Sequence, residues 1–211
     1  MLKLDHLVVV ASTVEQGIDY FSKTFGLNAT AGGKHIAMGT YNAVMKLDKD
    51  RYLEIIAIDP DGKTPDWPRW FNLDSIELQK EIKDKPRLIT WVARTKNFEK
   101  LKEKIAFDIG TPKAMTRGDL SWRFGFTDDG SLKEDGMLPY IIQWDNDEHV
   151  SRRMLDNGYK LIGLELNHPN PNRIKARLSA MEFEGDIKIN KSKTPFLKAY
   201  IKSANGIVEI S

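Results

Sequence analysis

The chain has 211 residues with 32 basic and 30 acidic side chains and a formal charge of +2, so no one-signed field exists to hold a phosphate backbone, and nucleic acid is not an expected partner. It has no cysteine, which removes disulfides, zinc–thiolate sites and thiol nucleophiles and leaves His, Asp and Glu as metal ligands. The longest early apolar run, Leu7 to Ala11, is far short of the ~20 residues of a membrane span and lacks a signal-peptide pattern, so a cytoplasmic protein without membrane contact is expected.

In chain order, a strand is predicted over Leu4 to Val10, followed by a helix on which Val14, Ile18 and Phe21 recur at helical spacing behind a Thr13 cap. A strand follows over Asn42 to Leu47, then an Asp48-Lys49-Asp50 turn and a closing strand through Leu53-Glu54-Ile55. The same order returns with a strand over Leu88 to Ala93, a helix through Phe98, Leu101 and Ile105 capped by Asn97, a strand over Ser121 to Phe126, and a close at Ile142-Gln143-Trp144. It returns a third time with Leu161 to Leu166, a helix through Ile174, Leu178 and Met181 entered at Pro169 and Pro171, a strand over Phe196 to Lys202, and a close at Val208-Glu209-Ile210. The first two units are about 52 and 57 residues long, which marks a repeated unit.

The expected organisation is a first βαβββ module over 1–58, a linker or lid over 59–87, a second module over 88–145, a connection over 146–159 and a third module over 160–211. The 59–87 segment carries the Trp-rich stretch Pro65 to Phe71, and ordered connections of this length are often lids.

Alternation along a strand puts Glu54, Gln143 and Glu209 opposite their apolar neighbours. A carboxylate between Leu53 and Ile55 needs a metal, a cation or a hydrogen-bonding ligand if buried, and a lysine or arginine partner would satisfy it equally well. His6 lies inside the first strand, where a histidine is either an interior donor or a ligand. Trp70, Trp91, Trp122 and Trp144 are candidates for apolar pocket walls or for plain core. Arg123, between Trp122 and Phe124, is a candidate anion clamp or the partner of a buried acid, while His149 and His168 read as structural.

Leu4-Asp5-His6-Leu7-Val8-Val9-Val10, the helix after it and the strand with Glu54 resemble a module of the vicinal oxygen chelate superfamily. Gly32 to Asn42, Leu138 to Asp145 and Asn167 to Pro171 are similar to glyoxalase-like domain proteins. The resemblance implies an α+β fold of repeated βαβββ modules, two forming an incomplete barrel with a third packed alongside. It implies His6 and Glu54 as ligands of a divalent metal (zinc, nickel, manganese or iron), with Gln143 replacing the second module's carboxylate and Glu209 a weaker candidate. Glu54 is the catalytic candidate. His35, Asn42, Trp70, Trp91, Arg123 and Gln143 are the candidates for substrate binding. The functions left open are a metal-dependent lyase, isomerase or dioxygenase acting on adjacent oxygens, a metal-free small-molecule binder, and an interaction protein that forms a homodimer.

Overall fold

The computed structural model describes residues 1–146 and 148–211. The first unit runs β1 (Leu2–Val10), α1 (Val14–Phe25), β2 (Thr30–His35), β3 (Thr40–Asp48) and β4 (Arg51–Ile58). After α2 (Ile76–Glu81) the second unit repeats that order as β5 (Arg87–Arg94), α3 (Phe98–Lys104), β6 (Thr111–Arg117), β7 (Leu120–Phe126) and β8 (Tyr140–Trp144). The third comprises β9 (Lys160–His168), α4 (Pro171–Ala180), β10 (Phe183–Glu184), β11 (Ile187–Lys191), β12 (Phe196–Ser203) and β13 (Gly206–Ile210).

Side-chain caps set the helix entrances. Thr13, Asn97 and Asn170 accept the backbone N–H of Gln16, Lys100 and Arg173, satisfying donors that a first turn leaves free. Pro171 opens α4, where its missing N–H costs nothing.

In each of the first two units the last strand returns parallel to the first, β4 beside β1 and β8 beside β5. β1 and β5 pair antiparallel, which joins the units into one curled sheet in the order β2-β3-β4-β1-β5-β8-β7-β6, with β10 on the start of β1. The sheet edges β2 and β6 approach across the open side, so the barrel is incomplete but narrow. The third unit forms a separate sheet, β11-β9-β12-β13.

That second sheet corrects one expectation. β9 pairs with β11 and β12, leaving β13 an outer edge bonded to β12 alone, so Glu209 does not match Glu54 in position.

Two cores follow from the curl. One fills the convex side, where Leu7, Val9, Leu53 and Ile55 meet Phe21 of α1, Phe98 of α3 and the second sheet's Leu164, Leu166, Leu197 and Ile201. The other lines the concave side with Val8, Val10, Ile56, Val92, Ile142 and a group of aromatic rings. Among the described residues no helix is long and apolar enough to cross a membrane.

Candidate functional site

The concave core is not filled. A partly open cavity, whose empty space of about 430 Å³ includes solvent at its mouth, is bordered by His6, Asn42 and Glu54 among others.

β1 supplies the first group through a local irregularity. The register against β5 shifts between Leu4 and His6, leaving Asp5 as an extra residue in the strand, and such a bulge re-aims side chains. Asp5 is fully buried beside His6, and its Oδ1 accepts from His6 Nδ1 at 2.7 Å. Its Oδ2 accepts from Trp144 Nε1 at 3.0 Å and from His149 Nε2 at 2.9 Å. Burial alone would push this carboxyl up, but the hydrogen bonds from His149 and His6 outweigh it and hold the group well below the usual carboxylate range. A carboxylate fixed on Nδ1 leaves His6 Nε2 facing the cavity, and Tyr52 stacks on the ring at 4.4 Å.

Glu54 comes from β4, next to β1. Its Oε2 lies 3.7 Å from His6 Nε2, and its Oε1 accepts from Asn42 Nδ2 at 2.6 Å. Asn42 Oδ1 in turn accepts from the Gly33 N–H at 3.0 Å and from Arg117 at 3.2 Å. Only a glycine fits at position 32, because a Cβ there would sit 2.2 Å from Asn42 Oδ1.

Arg117 reaches the site from β6, across the open seam, its stem lying over Gly33 of β2. It also bonds His35 Nε2 at 3.2 Å. A guanidinium only donates, so His35 accepts there and turns its Nδ1–H toward Thr40 Oγ1, also 3.2 Å away. The ring is therefore neutral; burial lowers its pKa to about 4, opposed by Glu54 and reinforced by Arg117 and His6.

Aromatic rings make the walls. Trp70 stacks on Phe71 and Phe126 and meets the His35 ring edge-on at 5.0 Å. Trp122 and Trp144 stand on the other side, 5.4 Å apart. Phe71 and Asn72 hold left-handed backbone at φ 59° and 57°, which non-glycine residues adopt at a cost, and their N–H groups are tied to Tyr140 Oη and the Gly130 carbonyl. The long connection thus packs two rings against the cavity while Trp67 lies under Lys113.

The structure brings His6, His35, Asn42, Glu54 and Trp70 into one cavity and places four other candidates elsewhere. Gln143 faces the convex side, where its Oε1 accepts the Phe98 N–H at 2.7 Å, and Ile142 and Trp144 take the cavity positions, a one-residue difference that reverses faces. Trp91 is fully buried in the convex core, with its indole N–H on the Met137 carbonyl. Arg123 alternates outward between Trp122 and Phe124 and pairs with Asp145 at the surface. Glu209 pairs with Lys198 on the outer edge strand.

Sequence reasoning missed Arg117 and Asp5. Arg117 resembles a solvated turn residue, yet it stands two positions beyond Met115, whose cross-strand partner is the cavity residue Trp122. Asp5 gave no signal, because its orientation depends on the bulge.

The donor set does not fit the divalent metal that the resemblance implies. Among the described residues no three His, Asp or Glu side chains gather as ligands. On the second unit's last strand the positions facing the cavity are Ile142 and Trp144, one oxygen of Glu54 is held by Asn42, and Arg117 adds a guanidinium, which cannot ligate a cation. A protein-held catalytic ion usually has three protein ligands.

The model of the family described as "Glyoxalase-like domain" matches residues 4–182, both barrel units and the first strand and helix of the third. A hypothetical protein from Staphylococcus aureus of known crystal structure matches at TM-score 0.68 and 13% identity, covering 100% of this chain and 99% of that one, which shows a shared fold. A hypothetical protein from Bacillus halodurans C-125 reaches 0.43 at 13% identity, covering 71% of this chain and 97% of its own. Methylmalonyl-CoA epimerase from Mycobacterium tuberculosis reaches 0.39 at 12% identity, covering 67% and 85%. Curated protein sequences return no match. With a family model spanning both barrel units and paired βαβββ units in the structure, the chain belongs to the glyoxalase-like domain family of the vicinal oxygen chelate superfamily.

Proposed function

We propose that this protein is an acid–base enzyme that moves a proton on a small carbonyl compound with a neighbouring oxygen. The observation that carries the reading is the approach of Glu54 Oε2 to His6 Nε2 at 3.7 Å, with the far side of each group already held, by Asn42 and by Asp5. Among the described residues neither inner atom has a hydrogen-bond partner, and both side chains border the cavity. The two atoms are close enough to act on one substrate from the same side, one as a base and the other as a proton carrier.

The step is a proton abstraction. Glu54 Oε2 takes the hydrogen from the carbon beside the carbonyl, the C–H electron pair passes to the carbonyl oxygen as an enolate, and His6 Nε2 shares the proton. Return of the proton to the same or the adjacent carbon gives an isomerase; expulsion of a group from the enolate gives a lyase. Positioned acid–base groups of this kind contribute roughly 10²–10⁴-fold to rate. No step runs through a metal. The homodimer and the cytoplasmic location expected from the sequence stand outside this reading, which needs neither.

The test is hydrogen–deuterium exchange, followed by proton NMR in D2O, of hydroxyacetone and phenylpyruvate with wild type, Glu54→Gln and His6→Asn. Exchange above the buffer rate in wild type, lost in both variants, is expected. Exchange equal to buffer in the wild type, with ligand still bound, would turn the protein into the metal-free binder that the aromatic walls also favour.

A further inference from the structure

We infer that Arg117 is the anion-recognition residue of this cavity and that the molecule it admits is a flat organic carboxylate. The inference rests on reading the cavity as the ligand site and names the class of ligand.

Every arginine other than Arg117 has a carboxylate oxygen within 4.0 Å: Arg51, Arg69 and Arg87 in their own turns, Arg94 on Asp5, Arg123 on Asp145, Arg152 and Arg153 on Asp50 and Asp119, and Arg173 and Arg177 on Glu134. Among the described residues Arg117 has none. It is partly buried at the mouth of the cavity, and its two acceptors are neutral, His35 Nε2 and Asn42 Oδ1, each 3.2 Å from the same Nη1. The fork of a guanidinium matches both oxygens of a carboxylate at once, and single bonds of that length to neutral atoms leave most of that capacity unused.

A second, independent donor points the same way. Trp70 Nε1 is buried and has no hydrogen-bond partner among the described residues, an arrangement native interiors rarely tolerate. Trp70 borders the same cavity, and its ring touches the His35 ring that Arg117 also contacts. Among the described residues, Arg117 and Trp70, both beside His35, thus keep donor capacity unused, and Glu54 Oε2 near His6 accepts no hydrogen bond.

A ligand that satisfies all three presents an oxyanion at the Arg117 and Trp70 end and an acidic hydrogen at the Glu54 end. The walls between, Phe71, Trp122, Phe124 and Trp144, suit a flat apolar body. Because Arg117 comes from the second unit and its acceptors from the first, an entering anion also competes for the contact that spans the seam.

The test compares phenylpyruvate with its uncharged methyl ester by quenching of tryptophan fluorescence and by calorimetry, using wild type, Arg117→Gln, Arg117→Lys and Trp70→Phe, each checked for folding by circular dichroism. Wild type is expected to prefer the acid by roughly ten- to a hundredfold, the range of a charge-assisted hydrogen bond. Arg117→Gln should bring that preference to about unity with ester affinity changed by less than about threefold, Arg117→Lys should keep part of it, and Trp70→Phe should weaken the acid more than the ester. Equal binding of acid and ester by wild type, or equal weakening of both by Arg117→Gln, would overturn the inference. So would binding of neither probe, and the proton-transfer reading would then be judged on the hydroxyacetone exchange alone.

Discussion

Asn42 holds Glu54 with one end of its amide and Arg117 with the other: Nδ2 donates to Glu54 Oε1 at 2.6 Å, and Oδ1 accepts from Arg117 at 3.2 Å. One neutral side chain thus sets the carboxylate that faces His6 and the cation that faces the mouth. In Asn42→Leu, Glu54 Oε1 is buried without a donor. Loss of about 1–3 kcal/mol of stability is expected in urea unfolding, the usual cost of an unpaired buried polar group. Unfolding at the wild-type midpoint would show that Glu54 is held by something other than Asn42.

Asp5 fixes His6 without bordering the cavity itself. Asp5→Asn replaces an acceptor with an amide of the same shape, which can offer an N–H where the carboxylate took one. His6 is expected to move its proton from Nδ1 to Nε2, visible in the ring nitrogen shifts. Proton exchange on substrate should fall by roughly 10²-fold or more while binding of phenylpyruvate changes little. Unchanged nitrogen shifts with lost exchange would assign Asp5 a packing role instead.

The His35 ring makes stability pH-dependent, and the sign follows from its lowered pKa. The folded value is about 4 against 6.5 for the free group, so between those values the unfolded chain binds the extra proton. Stability carried at pH 7 is therefore lost as pH falls from 6.5 toward 4, by up to about 3 kcal/mol for the full difference. The titratable and charged groups facing the ring are Glu54, Arg117 and His6, and protonation of His35 would set a second cation against Arg117. Denaturation midpoints measured from pH 7 to pH 4 should show this slope in wild type and a flatter one in His35→Gln. Parallel slopes would place the effect on other groups.

Titration with zinc, nickel, manganese or iron(II) is expected to give no stoichiometric binding at submicromolar concentration, since the cavity offers two protein donors where three are usual. Tight binding abolished by His6→Ala or Glu54→Gln would replace the acid–base reading with a metal-dependent one.

The repeat was legible because burial on both sides of a strand leaves an unmistakable mark. Leu53-Glu54-Ile55 and Leu4 to Val10 carry it, and the helices announce themselves through Thr13 and Asn97. His6, His35, Asn42 and Glu54 were found together because strand alternation and the module pattern place them on one face. What failed was parity and pairing. Gln143 lies one residue from the cavity-facing Trp144, and no property of Ile141-Ile142-Gln143-Trp144 says which parity looks inward when both faces are buried. Glu209 matched Glu54 as a string, but the third unit places its last strand at an edge, a choice made by long-range pairing that local sequence does not encode.

The seam has a consequence for how this family can diversify. β1, β2, β3 and β4 deliver every group assigned to proton handling, whereas the second unit contributes Trp122, Phe124, Ile142, Trp144 and the lone Arg117. On the proposed reading, reactivity and taste would therefore be inherited through different stretches of the gene. A lineage can exchange a ring of β7 or the guanidinium of β6 and court a new molecule while the chemistry of β1 and β4 stays as it was, so relatives that keep His6 and Glu54 need not share a substrate.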